Sequence, residues 1–190
     1  MIRCFLAISL PDDVSDALVD LQDKVRNARW IEEESFHITL NFLGDCDRHQ
    51  LNDLDAALAA LSVERFELSV AGTGAFGGGT PHLLYAGLEE NTPLRRLQTK
   101  TALAAREAGI AIESRKYVPH VTLARCSGGV IPVQALEWVR RHNLHRSEPF
   151  LVSAFGLYRS DLGNGPPVYT ELVSYPLTAP KDPHPTHGQG

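Results

Sequence analysis

Two short stretches carry the residues with the most chemical capacity: HITLNFLG, His37 to Gly44, and HVTLAR, His120 to Arg125. In each, a histidine is followed two residues on by a threonine, with aliphatic residues at the alternate positions. An imidazole ionises near neutral pH, so it can give or take a proton under ordinary conditions. A threonine hydroxyl can donate a hydrogen bond to an anionic oxygen. On a β-strand successive side chains point to opposite faces. His37 and Thr39 therefore share one face, and Ile38 and Leu40 the other. His120 and Thr122 stand in the same way against Val121 and Leu123. Two such strands side by side set two histidines across a gap, each with a threonine beside it. That is equipment for acid–base chemistry on a phosphate.

The pairing makes the signal specific. Taken singly, either histidine reads as a half-exposed strand residue beside a threonine chosen for β-propensity. A third H-x-T, His184-Pro185-Thr186, lacks aliphatic alternation, and its proline bars a central strand. Cys46-x-x-His49 has no second ligand pair, and His142-x-x-His145 has no carboxylate or thiol company. Both read as surface residues, and no metal is expected. GTGAFG, Gly72 to Gly77, matches the letters of a dinucleotide loop but runs into GGTP and a strand-like HLLYAGL instead of a helix, so it reads as a hairpin. No GxxxxGK string is present, so ATP is not implied.

The elements that carry the motifs are set by periodicity. Ile2 to Leu10 suits a buried strand, and Pro11-Asp12 opens a helix with Val14, Leu18, Leu21 and Val25 on one face. A second helix runs from Arg48 to Leu61, capped by Asp47, with Leu51, Leu54, Leu58 and Leu61 inward. Phe66–Phe76 and His82–Leu88 read as strands. A helix from Thr92 is stopped by Gly109, with Leu94, Leu97, Ala104, Ala105 and Ala108 inward. Ile110–Lys116 is a strand candidate, and Ser127-Gly128-Gly129 breaks the second motif strand. Val133–His142 is a short helix resting on Leu136 and Val139. Phe150–Tyr158 and Val168–Leu177 form a closing pair around Gly163-Asn164-Gly165. The layout is α+β, with the motif strands at similar places in two similar halves. Residues 1–178 are expected to form one domain and 179–190 a Pro- and His-rich flexible tail.

Composition excludes several classes. The 190 residues are 43% hydrophobic and 22% charged, ordinary for a globular chain, and the net charge of −5 argues against a broad basic surface for long duplexes. A small phosphate ligand or one RNA end needs only a local cluster of donors. Three scattered cysteines, Cys4, Cys46 and Cys126, suggest a reducing cytoplasm, and the N-terminal apolar run is too short to span a membrane.

The chain resembles the 2H phosphoesterases, and within them the RNA 2′,3′-cyclic phosphodiesterases, also called 2′-5′ RNA ligase-like proteins. The resemblance rests on FLAISLP, FHITLNFLG, PHVTLAR and the closing FGLYRSDLGNGPPVYTELVSYPL. It implies two pseudo-symmetric βαβ-type lobes with antiparallel sheets flanking a central cleft. It implies no cofactor and a substrate that is an RNA 2′,3′-cyclic phosphate end or a cyclic nucleotide, with tRNA fragments a further candidate. A monomer is expected. By the same resemblance His37 is the proton donor to the leaving 3′-oxygen, and His120 is the proton acceptor that activates water. The residues themselves do not assign these roles, because the motifs are nearly identical.

Thr39 and Thr122 are placed to donate to non-bridging phosphate oxygens, where charge builds. Arg125 is a phosphate contact by resemblance. It stands five residues after His120, so strict alternation sends it to the opposite face; only a bend or bulge turns it in, and an exposed strand-end arginine is the alternative. Arg115, Lys116 and Tyr117 form either an RNA-contacting rim or a solvated loop. Phe42 shares Leu40's parity, which favours core packing over base stacking. ATP-independent 2′-5′ ligation at the same site, and a non-catalytic nucleotide or RNA-end binding module, stand as alternatives to hydrolysis.

Overall fold

The computed structural model describes residues 1–23, 25–126, 132–163 and 165–179. In chain order the elements are β1 (Ile2–Ser9), α1 (Asp12–Val19), β2 (Ala28–Trp30), a 3-10 turn (Glu33–Ser35), β3 (His37–Cys46), α2 (Arg48–Ala59), β4 (Phe66–Leu68), β5 (Val70–Phe76), β6 (Leu83–Leu88), α3 (Thr92–Glu107), β7 (His120–Cys126), α4 (Pro132–His142), β8 (Phe150–Val152), β9 (Ala154–Asp161) and β10 (Val168–Pro176). The main sheet runs β10-β9-β1-β3-β7-β6-β5, with β2 added on β7, and β4 pairs with β8 in a small second sheet. All of these strand pairs are antiparallel. The two halves repeat one pattern: β1-α1-β3-α2-β4-β5 matches β6-α3-β7-α4-β8-β9. They exchange their last strands, since β5 lies on β6 and β9 lies on β1. The motif strands β3 and β7 meet at the centre, and the lobes spread to either side.

Hydrophobic burial holds the backs of the motif strands. Ile38, Val121 and Leu123 are 0% exposed and Leu40 is 3%. Each such side chain contributes about 1.5–3 kcal/mol relative to an exposed one. α3 and α4 lie against this face. Asn41 Nδ2 donates to Thr101 Oγ1 at 2.8 Å, tying β3 to α3. Trp138 Nε1 of α4 donates to the Leu21 carbonyl at 2.9 Å. Helix starts follow their caps: Asp47 accepts from the Gln50 amide in a capping box, and Asn91 accepts from the Leu94 amide ahead of Pro93.

Several expectations need correction. Ile110–Lys116 is not a strand; apart from Ile110 and Ile112 the segment is exposed and has no partner edge. Phe66–Phe76 divides into β4 and β5, and α1 ends at Val19, although Leu21 and Val25 are still buried beyond it. In α4 the buried residues are Ala135 and Trp138, while Leu136 is 60% exposed. Two apolar stripes competed there, and the one carrying the larger aromatic surface won. Cys46 is buried rather than at the surface, and His142 and His145 are half-buried. GTGAFG does form a hairpin arm: it lies in β5, and the turn closes with His82 N donating to Phe76 O at 2.9 Å. The glycine break after β7 and the tail from Pro180 lie outside the described residues. Among the described residues no helix is long and apolar enough to cross a membrane.

Candidate active site

β3 and β7 share one register pair, Ile38 with Val121. Both side chains point into the core, so the flanking residues point into the cleft. One step outward along that antiparallel register sets His37 beside Thr122 and Thr39 beside His120. Each imidazole thus stands opposite the other strand's hydroxyl, and the two histidines lie diagonally across the centre. Cross-strand neighbours of this kind have Cβ atoms about 4.5–5.5 Å apart, and diagonal ones about 7–8 Å.

Beyond this point the strands part. On one side β2 fills the gap, pairing Ala28, Arg29 and Trp30 with Cys126, Arg125 and Ala124. On the other, Tyr117 Oη donates to the Thr39 carbonyl at 3.0 Å. Tyr117, read from sequence as either rim or solvated loop, therefore plugs the wedge between the motif strands. Burial raises its phenol far above the usual range, so it stays a donor.

Both histidines are oriented identically. His37 Nδ1 lies 2.7 Å from the Ser35 carbonyl and His120 Nδ1 lies 2.7 Å from the Val118 carbonyl. A carbonyl only accepts, so each Nδ1 carries the hydrogen, and each Nε2 is left for the cleft. Aromatic rings hold each imidazole from the sides. His37 sits 4.9 Å from Phe5 and 5.1 Å from Tyr169, edge-on to the latter. His120 sits 5.0 Å from Phe76 and 5.3 Å from Tyr85. None of these four rings is legible as a site residue in the sequence, since they come from four different strands. Burial pushes the His37 pKa down to about 4; the Ser35 carbonyl opposes this, and the charges of His120 and Arg125 add to it. Burial also lowers His120, opposed by the Val118 carbonyl, with Arg115 contributing. Among the described residues neither Thr39 nor Thr122 spends its hydroxyl on another protein group, so both are available to a ligand.

A bulge decides the fate of the residues past each threonine. On β3, Ala7 pairs with Thr39 and Leu6 with Asn41, so Leu40 is the extra residue. On β7, Tyr85 pairs with Thr122 and Leu84 with Ala124, so Leu123 is the extra residue. Both bulges fall three residues after the motif histidine. Each shifts the parity of the positions beyond it, so Phe42 and Arg125, both at the fifth position, turn onto the cleft side. Phe42 is 55% exposed and its ring lies 6.3 Å from Phe5, so its assignment to the core is wrong. Arg125 is exposed on the face of Leu83, and its charge reaches His37. Among the described residues no three histidine, cysteine or acidic side chains gather as a metal-ligand set.

The chain as a whole is similar to known proteins. The family model described as LigT like Phosphoesterase matches residues 8–85 and 87–169. The chain is 35% identical over 191 residues to the RNA 2′,3′-cyclic phosphodiesterase of Thermus thermophilus, covering 92% of this chain and 90% of that one. It is 30% identical over 193 residues to the RNA 2′,3′-cyclic phosphodiesterase of Geobacillus stearothermophilus, covering 98% of this chain but spanning only 60% of that relative's length. The fold is shared with the crystal structure of E. coli LigT complexed with 3′-AMP, with a TM-score of 0.78, 22% identity, and coverage of 93% of this chain and 98% of that one.

Proposed function

Because the chain belongs to the LigT-like phosphoesterase family, we propose that it is an RNA 2′,3′-cyclic phosphodiesterase that opens the cyclic phosphate at RNA or nucleoside ends to a 2′-phosphate. The observation that carries this reading is the pair of imidazoles with Nδ1 pinned and Nε2 turned to the cleft, each opposite a threonine hydroxyl that no other group uses among the described residues. Water attacks phosphorus in line with the P–O3′ bond. His120 Nε2 takes the proton from the water as the new P–O bond forms. His37 Nε2 gives its proton to O3′ as the P–O3′ bond breaks, so the pair carries one proton throughout.

Thr39 and Thr122 donate to the non-bridging oxygens, and Arg125 adds positive charge on the His37 side. In the ligand-free protein His37 is held neutral down to about pH 4, so its acid role depends on the substrate's anion, which favours the imidazolium. The exposed Phe42 ring offers a face on which a nucleobase stacks. The reaction as written needs no metal, and the reading goes with a monomer in the cytoplasm acting on RNA fragments such as cleaved tRNA.

The test is hydrolysis of a nucleoside 2′,3′-cyclic phosphate with and without EDTA. Retained turnover and a 2′-phosphate product support the proposal. Loss of turnover to the chelator overturns the metal-free route, and a 3′-phosphate product overturns the assignment of the leaving oxygen. A second reading is favoured by a depression of about 380 Å³ beside His120, lined by Tyr85, Arg95, Lys116 and Arg146 among others. It has room for a nucleotide whose 5′-hydroxyl takes the place of water, which would give ATP-independent 2′-5′ ligation. Incubating a cyclic-phosphate RNA end with a 5′-hydroxyl RNA, and looking for a 2′-5′ joint, separates the two.

A further inference from the structure

We propose that the depression beside His120 is a second phosphate subsite, in which Lys116 and Arg146 hold the RNA phosphodiester next to the reacting phosphate. This rests on the cyclic phosphodiesterase reading and makes oligonucleotides, rather than mononucleotides, the preferred ligands. The depression begins at the catalytic strand. Gly87 of β6 is the register partner of His120 and lines it, as does Val118, whose carbonyl pins His120 Nδ1. In the other lobe Ser9 stands at the matching position, opposite His37. Beyond Gly87, β5 carries a bulge: Val70 pairs with Leu88 and Thr73 with Ala86, so Ala71 and Gly72 share one partner. Gly72 has a φ of 69°, which glycine adopts without strain. A Cβ on Gly87 would lie 2.7 Å from the Ala71 carbonyl oxygen, so the bulge closes down on bare backbone beside His120.

The bulge also fixes one cation. The Gly72 amide donates to the His145 carbonyl at 2.8 Å, and Ala71 forms a β-bridge with Arg146. The segment after α4 is thereby tied to the sheet edge, with Arg146 lining the depression. Arg146 Nη1 donates to the His145 carbonyl at 2.9 Å, and its other donors have no partner among the described residues. Lys116 is fixed from the other side, since it directly precedes Tyr117, whose hydroxyl is tied to the Thr39 carbonyl. Of the three cations and one carboxylate that line the depression, Arg95 and Glu90 cancel in a two-pronged ion pair. The charge of Lys116 reaches Glu90, but neither Lys116 nor Arg146 is in an ion pair among the described residues. The His37 flank is charged the opposite way: Glu171 lies 3.5 Å from the hydroxyl of Tyr158, which stacks on Phe5 beside His37. An anion is therefore drawn to the His120 flank, where a guanidinium fork and an ammonium suit phosphate oxygens.

Position separates this anion from the reacting one. Arg146 bridges the outer edge of β5, three strand spacings or about 14 Å from β7. The charges that shift the two imidazoles include Arg125 and Arg115, and not Lys116 or Arg146. The reacting phosphate belongs between the threonines, and the depression of about 380 Å³ has room for one further nucleotide. The anion held there is a neighbouring phosphodiester, either upstream in the same strand or the first one of a strand that brings a 5′-hydroxyl.

Two ligand pairs test this, each differing by one phosphodiester. The first compares hydrolysis of a nucleoside 2′,3′-cyclic phosphate with that of a dinucleotide ending in the same cyclic nucleoside. The second compares a nucleoside with a dinucleotide as the 5′-hydroxyl acceptor for a cyclic-phosphate RNA end. In at least one pair the wild type is expected to favour the dinucleotide about tenfold in kcat/KM, and the pair that does so names the strand. Lys116→Gln and Arg146→Gln should each remove most of that preference through KM, and Arg146→Lys should keep part of it. Lys100→Gln, which removes an exposed charge from α3, should leave the preference intact. Binding of the 2′-phosphate products and of the acceptor dinucleotide, measured by calorimetry across a salt series, gives a reading that does not depend on turnover. The salt slope of the favoured dinucleotide should flatten by about one counterion in Lys116→Gln and in Arg146→Gln. No preference in either pair, an equal loss on long and short ligands, or an equal effect of Lys100→Gln overturns the proposal. Absence of turnover with the binding difference intact would sink the hydrolase reading and leave this subsite standing.

Discussion

The two motif strands agree at the histidine, at the threonine and at the bulge, and disagree two residues later. β3 turns Phe42 onto the cleft side where β7 turns Arg125. On the proposed reading the agreement supplies two proton-transfer groups of the same tautomer, presented by the same carbonyl-pinned geometry. Such a pair is reversible in principle, since either imidazole can be acid or base. The disagreement gives the site a direction. A ring face invites a base, a guanidinium invites a phosphate, and a nucleotide bridging them can lie only one way round. On that reading the duplicated half supplies the chemistry, and the unequal fifth position supplies the orientation.

The strongest way to break the comparison is at its shared part. His37→Ala and His120→Ala should each lower kcat by about 10²–10⁴-fold, with the double variant little worse than either single one, because the two act as a unit. Steady-state kinetics with circular dichroism as the folding control reads this. If one variant stays near wild type, the two-histidine mechanism is wrong.

The histidines differ in how strongly each resists a proton, and that difference is measurable as stability. Above pH 6.5 His37 is neutral in the folded and the unfolded chain alike. As pH falls below 6.5 the unfolded chain accepts a proton that the folded chain refuses until about pH 4. Stability is therefore lost between those limits, by at most about 3 kcal/mol, and no further loss comes from this group below them. Denaturant melts from pH 7 to pH 4 should show this slope, and His37→Asn should flatten it more than His120→Asn does. In kcat/KM, which reports the free enzyme, both limbs of the bell should lie below pH 6.5. In kcat, the alkaline limb should move upward as bound phosphate stabilises the His37 imidazolium. Equal slopes in the two variants would mean that the lobes do not differ electrostatically.

Next in size comes the fifth position itself. Arg125→Gln should lower kcat/KM by about 10–100-fold through the lost charge-assisted contact. Phe42→Ala should raise KM by about tenfold and largely spare kcat, as expected for a lost stacking surface. Adding Phe42→Arg to Arg125→Gln places a guanidinium in the mirrored position and should not restore activity. Restoration would show that the site has no built-in direction.

The histidines and threonines were legible because they sit in the regular part of a strand, where alternation alone sets the face. The residues beyond the bulge were not. Leu40 and Leu123 are displaced by pairing with β1 and β6, so the parity of Phe42 and Arg125 depends on partners far away in the chain. The sequence could say that a bulge was needed for Arg125 but not that one existed, and for Phe42 strict alternation pointed to the wrong face. Strand β2 was invisible for a related reason. β2 is three residues long, carries no period, and owes its existence to the edge of β7. The layer of helices was easier, because caps and apolar stripes are local; α4 failed where two stripes competed within one short helix.

The smallest expected effect tests the wedge rather than the chemistry. Three residues before each motif histidine stand Glu34 and Tyr117, and only Tyr117 reaches across to the opposite motif strand. Tyr117→Phe removes that donor and leaves the Thr39 carbonyl without it, at a cost of about 1 kcal/mol. For a chain of this size that is a fall in Tm of about 2–4 °C. The ring still fills the wedge, so Thr39 should shift little and kcat should fall less than about threefold. Glu34 is exposed, so Glu34→Gln should change stability by no more than about 0.5 kcal/mol. A large loss of kcat in Tyr117→Phe with Tm unchanged would instead place the hydroxyl among the groups that act on the phosphate. An equal Tm change in both variants would show that the two sides of the wedge are held alike.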